Sequence, residues 1–202
     1  MRILIALGGN AMTSPEGHAR PEDQRKAISV AMEKVAKVVS QGHEVILTHG
    51  NGPQVGNLLV KNELAAQVVP PVSLDWCGAQ TQGTIGFMII NALEHSLHSL
   101  GIERKCAAII TRTQVDPLDS RFQNPTKPIG RYVDEHQAQL MIEHGQIWQD
   151  RGEKGWRRMV ASPEPLHILE RDIIDLLLKQ QVIVVAAGRS EEHTSELQSH
   201  SF

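Results

Sequence analysis

The sequence predicts an α/β fold built on a mainly parallel sheet with helices on both faces. Short apolar runs, Arg2 to Leu7, Glu44 to Thr48, Cys106 to Thr111 and Val182 to Ala186, alternate with segments of helical spacing. The first two runs lead straight into glycine loops, as strand–turn–helix junctions do. The last run is apolar throughout, which suits a central strand covered on both faces. With 202 residues, one good core with a small appendage is the expectation.

Taken in order, the first strand ends at Leu7 and the loop Leu7-Gly8-Gly9-Asn10 follows. Ile28, Ala31, Met32, Val35 and Val39 then share one helix face, and Gly42 is placed to cap a helix ending near Gln41. After the second strand, Pro53 suits the first turn of a helix carrying Val55, Leu58, Leu59 and Asn62. Pro70-Pro71 ends that stretch, a long helix is expected from about Gln80 to Leu100, and Gly101 closes it. The third strand is Cys106 to Thr111; a helix from about Leu169 to Gln180 precedes the fourth, packing through Ile173, Ile174, Leu177 and Leu178.

From Thr113 to about Pro165 the pattern is irregular, rich in proline, aspartate and glycine. Such a length is either a disordered insert or a functional lid. Trp148, Trp156 and the run Arg157-Arg158-Met159-Val160 suggest small hairpins and favour the lid. Residues 189–202 have no apolar period and resemble a reading frame of a sequencing-library adapter, so a non-native tail is expected there. The bland alternative is a natural polar tail.

Lys+Arg 20 against Asp+Glu 23 gives a net charge of −3, so no basic field argues for nucleic acid. Cys77 and Cys106 lack zinc or Cys-x-x-Cys spacing and read as free thiols of a reducing, cytoplasmic compartment. No apolar run approaches a membrane span. His95 and His98 lie one helical turn apart with no further ligand nearby, so an exposed helix face outweighs a metal site, and no metal residue is assigned.

The chemistry sits in the loops. His49-Gly50-Asn51-Gly52-Pro53-Gln54-Val55-Gly56 and Leu7-Gly8-Gly9-Asn10 place glycines where a strand passes into a helix. There, backbone N–H groups and the positive end of a helix dipole favour an anion. Taken singly, such glycines serve equally well as tight turns. Two such loops at one end of a parallel sheet favour a ligand site. A third loop, Asn124-Pro125-Thr126-Lys127-Pro128-Ile129-Gly130, adds a lysine between prolines. A lone lysine is ordinarily a solvated surface charge.

These three loops, with Gln82-Gly83-Thr84-Ile85-Gly86 and Arg158-Met159-Val160-Ala161-Ser162-Pro163-Glu164-Pro165, resemble the carbamate kinase family from Met1 to about Gly188. The resemblance implies the amino acid kinase fold, a three-layer α/β/α sandwich, in an enzyme that is a homodimer when full length. It implies reversible phosphoryl transfer between ATP and carbamate, often making ATP from carbamoyl phosphate and ADP in arginine breakdown. ATP or ADP would come as a magnesium complex and substrate, with no tightly bound cofactor. Gly8, Gly9, Asn10, Gly50 and Asn51 would bind substrate. Amides of Gly8, Gly9 and Gly50 would cradle it, and Asn10 and Asn51 would donate side-chain N–H bonds. Lys127 would be catalytic, Arg158 would pair within the lid, and Gln82, Gly83 and Gly86 would serve helix packing near a dimer face.

Members of that family continue past the fourth strand into a nucleotide-binding half. Here Gly188 is followed by Arg189 and the tail. The expectation is therefore a substrate-binding part over residues 1–188 with a lid at about 113–165, nucleotide-site residues unassigned, and no turnover by these 202 residues alone. The alternatives are a non-catalytic anion-binding fragment and another phosphotransferase of the same fold. A dinucleotide oxidoreductase lacks its Gly-x-Gly-x-x-Gly spacing here, and no P-loop is present.

Overall fold

The computed structural model describes residues 1–8, Met12 and 20–188. The described residues form two compact units. The first holds Met1–Gly52, Gly78–Arg112 and the described residues from Ile168 on; the second holds Pro53–Cys77 and Thr113–His167.

The first unit is a parallel sheet between helices. Its strands are β1 (Arg2–Leu7), β2 (Glu44–His49), β3 (Cys106–Ala108) and, late in the chain, Ile183–Val185, which becomes β9. Their order is β1-β2-β9-β3, so the all-apolar last strand is central, as its composition demands. β1 and β2 pair in parallel from Arg2↔Glu44 to Leu7↔His49. β9 pairs in parallel with β2 and with β3.

Strand alternation separates two cores. Val45, Leu47, Ile183 and Val185 face Ile28, Met32, Val35 and Val39 of α1 (Pro21–Ser40) and Ile85, Ile89, Leu93 and Leu97 of α3 (Leu74–Ser99). The opposite face, with Ile46, Val184 and Ala186, packs on Ile174, Leu177 and Leu178 of α5 (Arg171–Lys179). Helix, sheet and helix therefore make three layers. Leu47 is fully buried, and truncating such a residue to alanine costs about 2–5 kcal/mol. At one point helix and strand leave no room for a side chain: a Cβ on Gly86 of α3 would lie 2.7 Å from the Ala108 Cβ.

Two boundaries differ from the sequence reading by three residues or more. α3 begins at Leu74, six residues before Gln80, because Cys77 donates its N–H to Ser73 O at 3.1 Å and anchors this first turn in a cluster with Leu59 and Ile129. β3 stops at Ala108, three residues before Thr111. Ile109 still donates to Val185 O at 2.9 Å, but Thr111 has turned to a helix side chain described below.

The second unit is antiparallel. β5 (Lys127–Val133), β6 (Ile147–Asp150) and β7 (Trp156–Val160) form a sheet in the order β5-β7-β6. The expected tryptophan hairpin is β6–β7, with Trp148 opposite Arg158 and Trp156 opposite Asp150. Trp148 is buried with Val133 and with Ala138 and Met141 of α4 (Glu135–Glu143). Asp134 caps α4 by accepting from Gln137 N at 2.8 Å. Leu59 of α2 (Gly52–Ala65) packs on Ile129. β4 (Thr113–Val115) and β8 (Pro165–Ile168), absent from the sequence reading, make a separate two-stranded sheet. No helix among the described residues is long and apolar enough to cross a membrane.

Candidate active site at the carboxyl edge of the parallel sheet

Because Leu7 lies opposite His49, the chain leaves β1 and β2 at one edge, with Gly8 beside Gly50. Gly50 donates its N–H to Leu7 O at 2.8 Å. That amide, expected to face an anion, is committed to the ladder; Gly50 instead shapes the turn that delivers Asn51 and Gly52. Gly52 opens α2, whose first-turn N–H groups have no intrahelical acceptor. Gly8 has open space where a Cβ would be, among the described residues. Packing therefore does not demand glycine there, which leaves room for a ligand to approach the backbone. Gly9 and Asn10 lie outside the described residues.

Among the described residues, five of the seven buried polar ones, His49, Asn51, Thr81, Gln82 and Thr111, gather at this edge. Buried polar groups require partners; here Asn51 pairs with Thr81 and Gln82 with Thr111, while His49 bonds a backbone carbonyl. Asn51 Nδ2 donates to Thr81 Oγ1 at 2.9 Å, and Thr81 Oγ1 donates to Gly78 O at 2.8 Å. An amide NH2 carries two N–H groups, so Thr81 takes one of those expected to reach a substrate.

Gln82 clasps Thr111 from both sides. Its Oε1 accepts from Thr111 N at 2.9 Å and Thr111 Oγ1 at 3.1 Å, and its Nε2 donates to Thr111 O at 3.2 Å. Thr111 Oγ1 in turn accepts from Ala187 N at 3.0 Å. Ala187 has φ 51°, a left-handed conformation that costs a non-glycine residue about 1 kcal/mol or more.

His49 Nδ1 lies 2.9 Å from Gly50 O. A carbonyl only accepts, so Nδ1 carries the proton and Nε2 is bare. Burial pushes the imidazole below its ordinary pKa of 6.5, and the bond to the Gly50 carbonyl opposes that shift. A Cβ on Gly188 would collide with the His49 ring and with Gln82 Cγ. Gly188 is thus glycine because two side chains of this network occupy the space.

The family model for the amino acid kinase family matches residues 1–197. The chain belongs to the amino acid kinase family. It is 39% identical to carbamate kinase 1 of Enterococcus faecium, covering 93% of this chain and 60% of that protein. It is 42% identical to the carbamate kinase of Pyrococcus furiosus, again over 93% of this chain and 60% of the relative. Among solved structures, carbamate kinase from Giardia lamblia bound to AMP-PNP superposes with a TM-score of 0.83 at 38% identity, covering 93% of this chain and 60% of that one. The chain thus spans about 60% of the length of the relatives it matches.

In this amino acid kinase chain, Lys127 lies in the second unit as the first residue of β5, half-buried opposite Val160. The ladder fixes its backbone, unlike that of a lysine on a loose loop. Three residues on, Gly130 has φ 65°, and the β5–β7 register shifts between Ile129 and Tyr132. A bulge with a left-handed residue explains that glycine of the motif. Arg158 sits in β7 opposite Ile129 and Trp148.

His95 and His98 are exposed, and no group of three His, Cys, Asp or Glu residues that could hold a metal occurs among the described residues. Cys77 and Cys106 are free thiols. Burial, and then Glu94, push Cys106 up to about 11, against Arg104; burial raises Cys77 as well. Neither is a ready thiolate.

Sequence reading did not find the Asn51–Thr81 and Gln82–Thr111 contacts. One signal was there: Gln82 falls on the helix stripe of Ile85, Ile89 and Leu93, a polar residue on a buried face.

Proposed function

We propose that this chain is the substrate-binding part of a carbamate kinase, and that the whole protein transfers a phosphoryl group reversibly between ATP and carbamate. One observation carries the reading: two glycine loops leave adjacent parallel strands in register, Gly8 beside Gly50, at an edge rich in satisfied buried polar groups. Similarity to carbamate kinases supports carbamate as the substrate class.

Transfer between two anions needs alignment and neutralisation of oxygens more than a covalent nucleophile. Gly8, Gly9 and Asn10 on one loop and Asn51 on the other, delivered by the turn at Gly50, bind carbamate or carbamoyl phosphate. Asn51 presents its second N–H; the first-turn amides of α2 add partial positive charge. Lys127, by its place in the Pro125-Thr126-Lys127-Pro128 motif, neutralises charge on the phosphoryl oxygens in the transition state, and residues 113–165 act as the lid that carries it. ATP or ADP enters with magnesium as a substrate complex. We further propose a cytoplasmic homodimer that makes ATP during arginine breakdown.

Since the chain spans about 60% of its relatives, substrate binding is proposed for these 202 residues and turnover for the whole protein. Calorimetry of the chain with carbamoyl phosphate tests this. Saturable binding weakened at least tenfold by Asn51→Ala is expected; absence of binding by folded protein would overturn the reading. Measurable ATP formation from ADP and carbamoyl phosphate by the chain alone would show that it suffices for catalysis.

A further inference from the structure

We infer that Thr81 and Gln82 of α3 are positioning residues for the anion-binding edge. Thr81 orients Asn51, and Gln82 ties the segment after β3 to the segment after β9. The inference rests on the functional reading above for what Asn51 does, and on geometry alone for how Asn51 is held.

The direction of the bonds is fixed by chemistry. Thr81 has one hydroxyl proton, and Gly78 O takes it at 2.8 Å. The Thr81 oxygen can then only accept from Asn51, so the NH2 end of that side chain must face Thr81, at 2.9 Å. Both residues are buried, at 7% and 3% exposure, so the bond is largely shielded from water. Asn51 is held in one amide orientation with its other N–H set in direction. That is what recognition of an oxyanion requires, since donors must be placed before the charge arrives.

Gln82 does the same for backbone. Ladder pairing of β3 with β9 ends at Ala108↔Val185. Beyond it the Gln82 amide offers Thr111 an acceptor and a donor, as a neighbouring strand would. Thr111 passes the tether on to Ala187, and Gly188 then fits against the His49 ring. Adjacent residues of one helix turn thus hold three strand ends, those of β2, β3 and β9. The Thr81 hydroxyl and the Gln82 carbonyl oxygen are already engaged by these bonds, so each residue acts through another.

The test is Thr81→Val, which keeps shape and removes the hydroxyl, with Thr81→Ser as the rescue. Thr84→Val serves as control, because Thr84 is an exposed threonine of the same helix bonded to Gln80 O at 3.0 Å. The full chain is titrated with carbamoyl phosphate, and the Asn51 side-chain amide is followed by nitrogen-15 NMR. For Thr81→Val we expect Kd to rise about tenfold and the Asn51 amide protons to exchange faster and shift. Thr81→Ser should stay within about twofold of the parent, and Thr84→Val should match it. If Thr81→Val does not fold, Thr81→Ala takes its place. A Thr81 variant that melts earlier yet leaves the Asn51 signals and Kd unchanged overturns the inference, reducing Thr81 to a structural role. Should the parent chain bind no carbamoyl phosphate, the functional reading fails alone; the Asn51 signals still decide whether Thr81 positions it. For Gln82→Met, altered Thr111 and Ala187 amide signals support the tether and unaltered ones refute it.

Discussion

The two units hold their functional candidates by opposite means. At the edge of the parallel sheet, Asn51 is fixed by side chains that are themselves buried and bonded. In the antiparallel unit, Lys127 is fixed through its backbone, as a ladder residue opposite Val160. Polar contacts nearby are partly wet: Arg131 meets Glu63 at 2.8 Å with its side chain 43% exposed, and Arg157 stacks on Tyr132 at 4.6 Å. Exposed ion pairs contribute about 0–1 kcal/mol each, so apolar burial around Trp148 and Ile129 must stabilise that unit. A fixed amide suits recognition of a small anion. A lysine on a ladder strand has the root of its charge set in place by strand pairing.

The largest expected effect probes that apolar dependence. Trp148→Ala should cost about 3–5 kcal/mol, with loss of hydrogen-exchange protection concentrated in residues 127–160. Equal loss along β1 and β2 would break the comparison. Next comes Lys127→Ala in a catalytically active form of the protein. About 3 kcal/mol of transition-state stabilisation, a fall in kcat of about 10²-fold or more, is expected with substrate affinity little changed; normal turnover would remove Lys127 from the mechanism.

Gly188→Ala tests the packed edge. The new methyl must displace the His49 ring or Gln82, and overpacking of this kind costs about 1–3 kcal/mol. A melting temperature equal to the parent's would show the edge to be more yielding than its contacts imply.

The smallest effect is one of pH. The folded His49 ring takes a proton only below its ordinary 6.5, whereas in the unfolded chain it takes one near that value. Its contribution to stability is therefore intact above about pH 6.5 and is lost as pH falls from there towards the folded value. Urea midpoints measured from pH 7.5 to 5 should drop, and His49→Gln should flatten that drop. Parallel curves for the two proteins would rule out His49 as the cause.

The parallel sheet was legible because strands buried on both faces read as unbroken apolar runs, and Val182 to Ala186 announced its central place. Gly42 and Gly101, with φ of 81° and 68°, close α1 and α3 as their positions suggested. The start of α3 was not legible, since Gly78 lowers helix propensity and tertiary packing of Cys77 overrides it. β4 and β8, of three and four residues, are too short to show a period. At the candidate site the glycine loops could be read from local spacing. Their tethers could not, because Asn51 and Thr81 stand 30 residues apart and Thr111 and Ala187 stand 76 apart. Side-chain bonds between distant segments leave no periodic trace. Gln82 was assigned to helix packing for that reason.

The contact between Gly86 and Ala108 has a consequence for anyone screening variants of this protein. The helix that presents Thr81 and Gln82 is seated against β3 at a spot where even a methyl on Gly86 would meet Ala108 at 2.7 Å. A bulkier residue at either position lifts that helix from its seat and draws its polar turn off the strand ends. In a mutational scan scored by ligand binding, two small apolar positions with no polar contact to any ligand would therefore stand out beside Asn51, and a map of such hits would outline a scaffold tolerance rather than a second recognition surface.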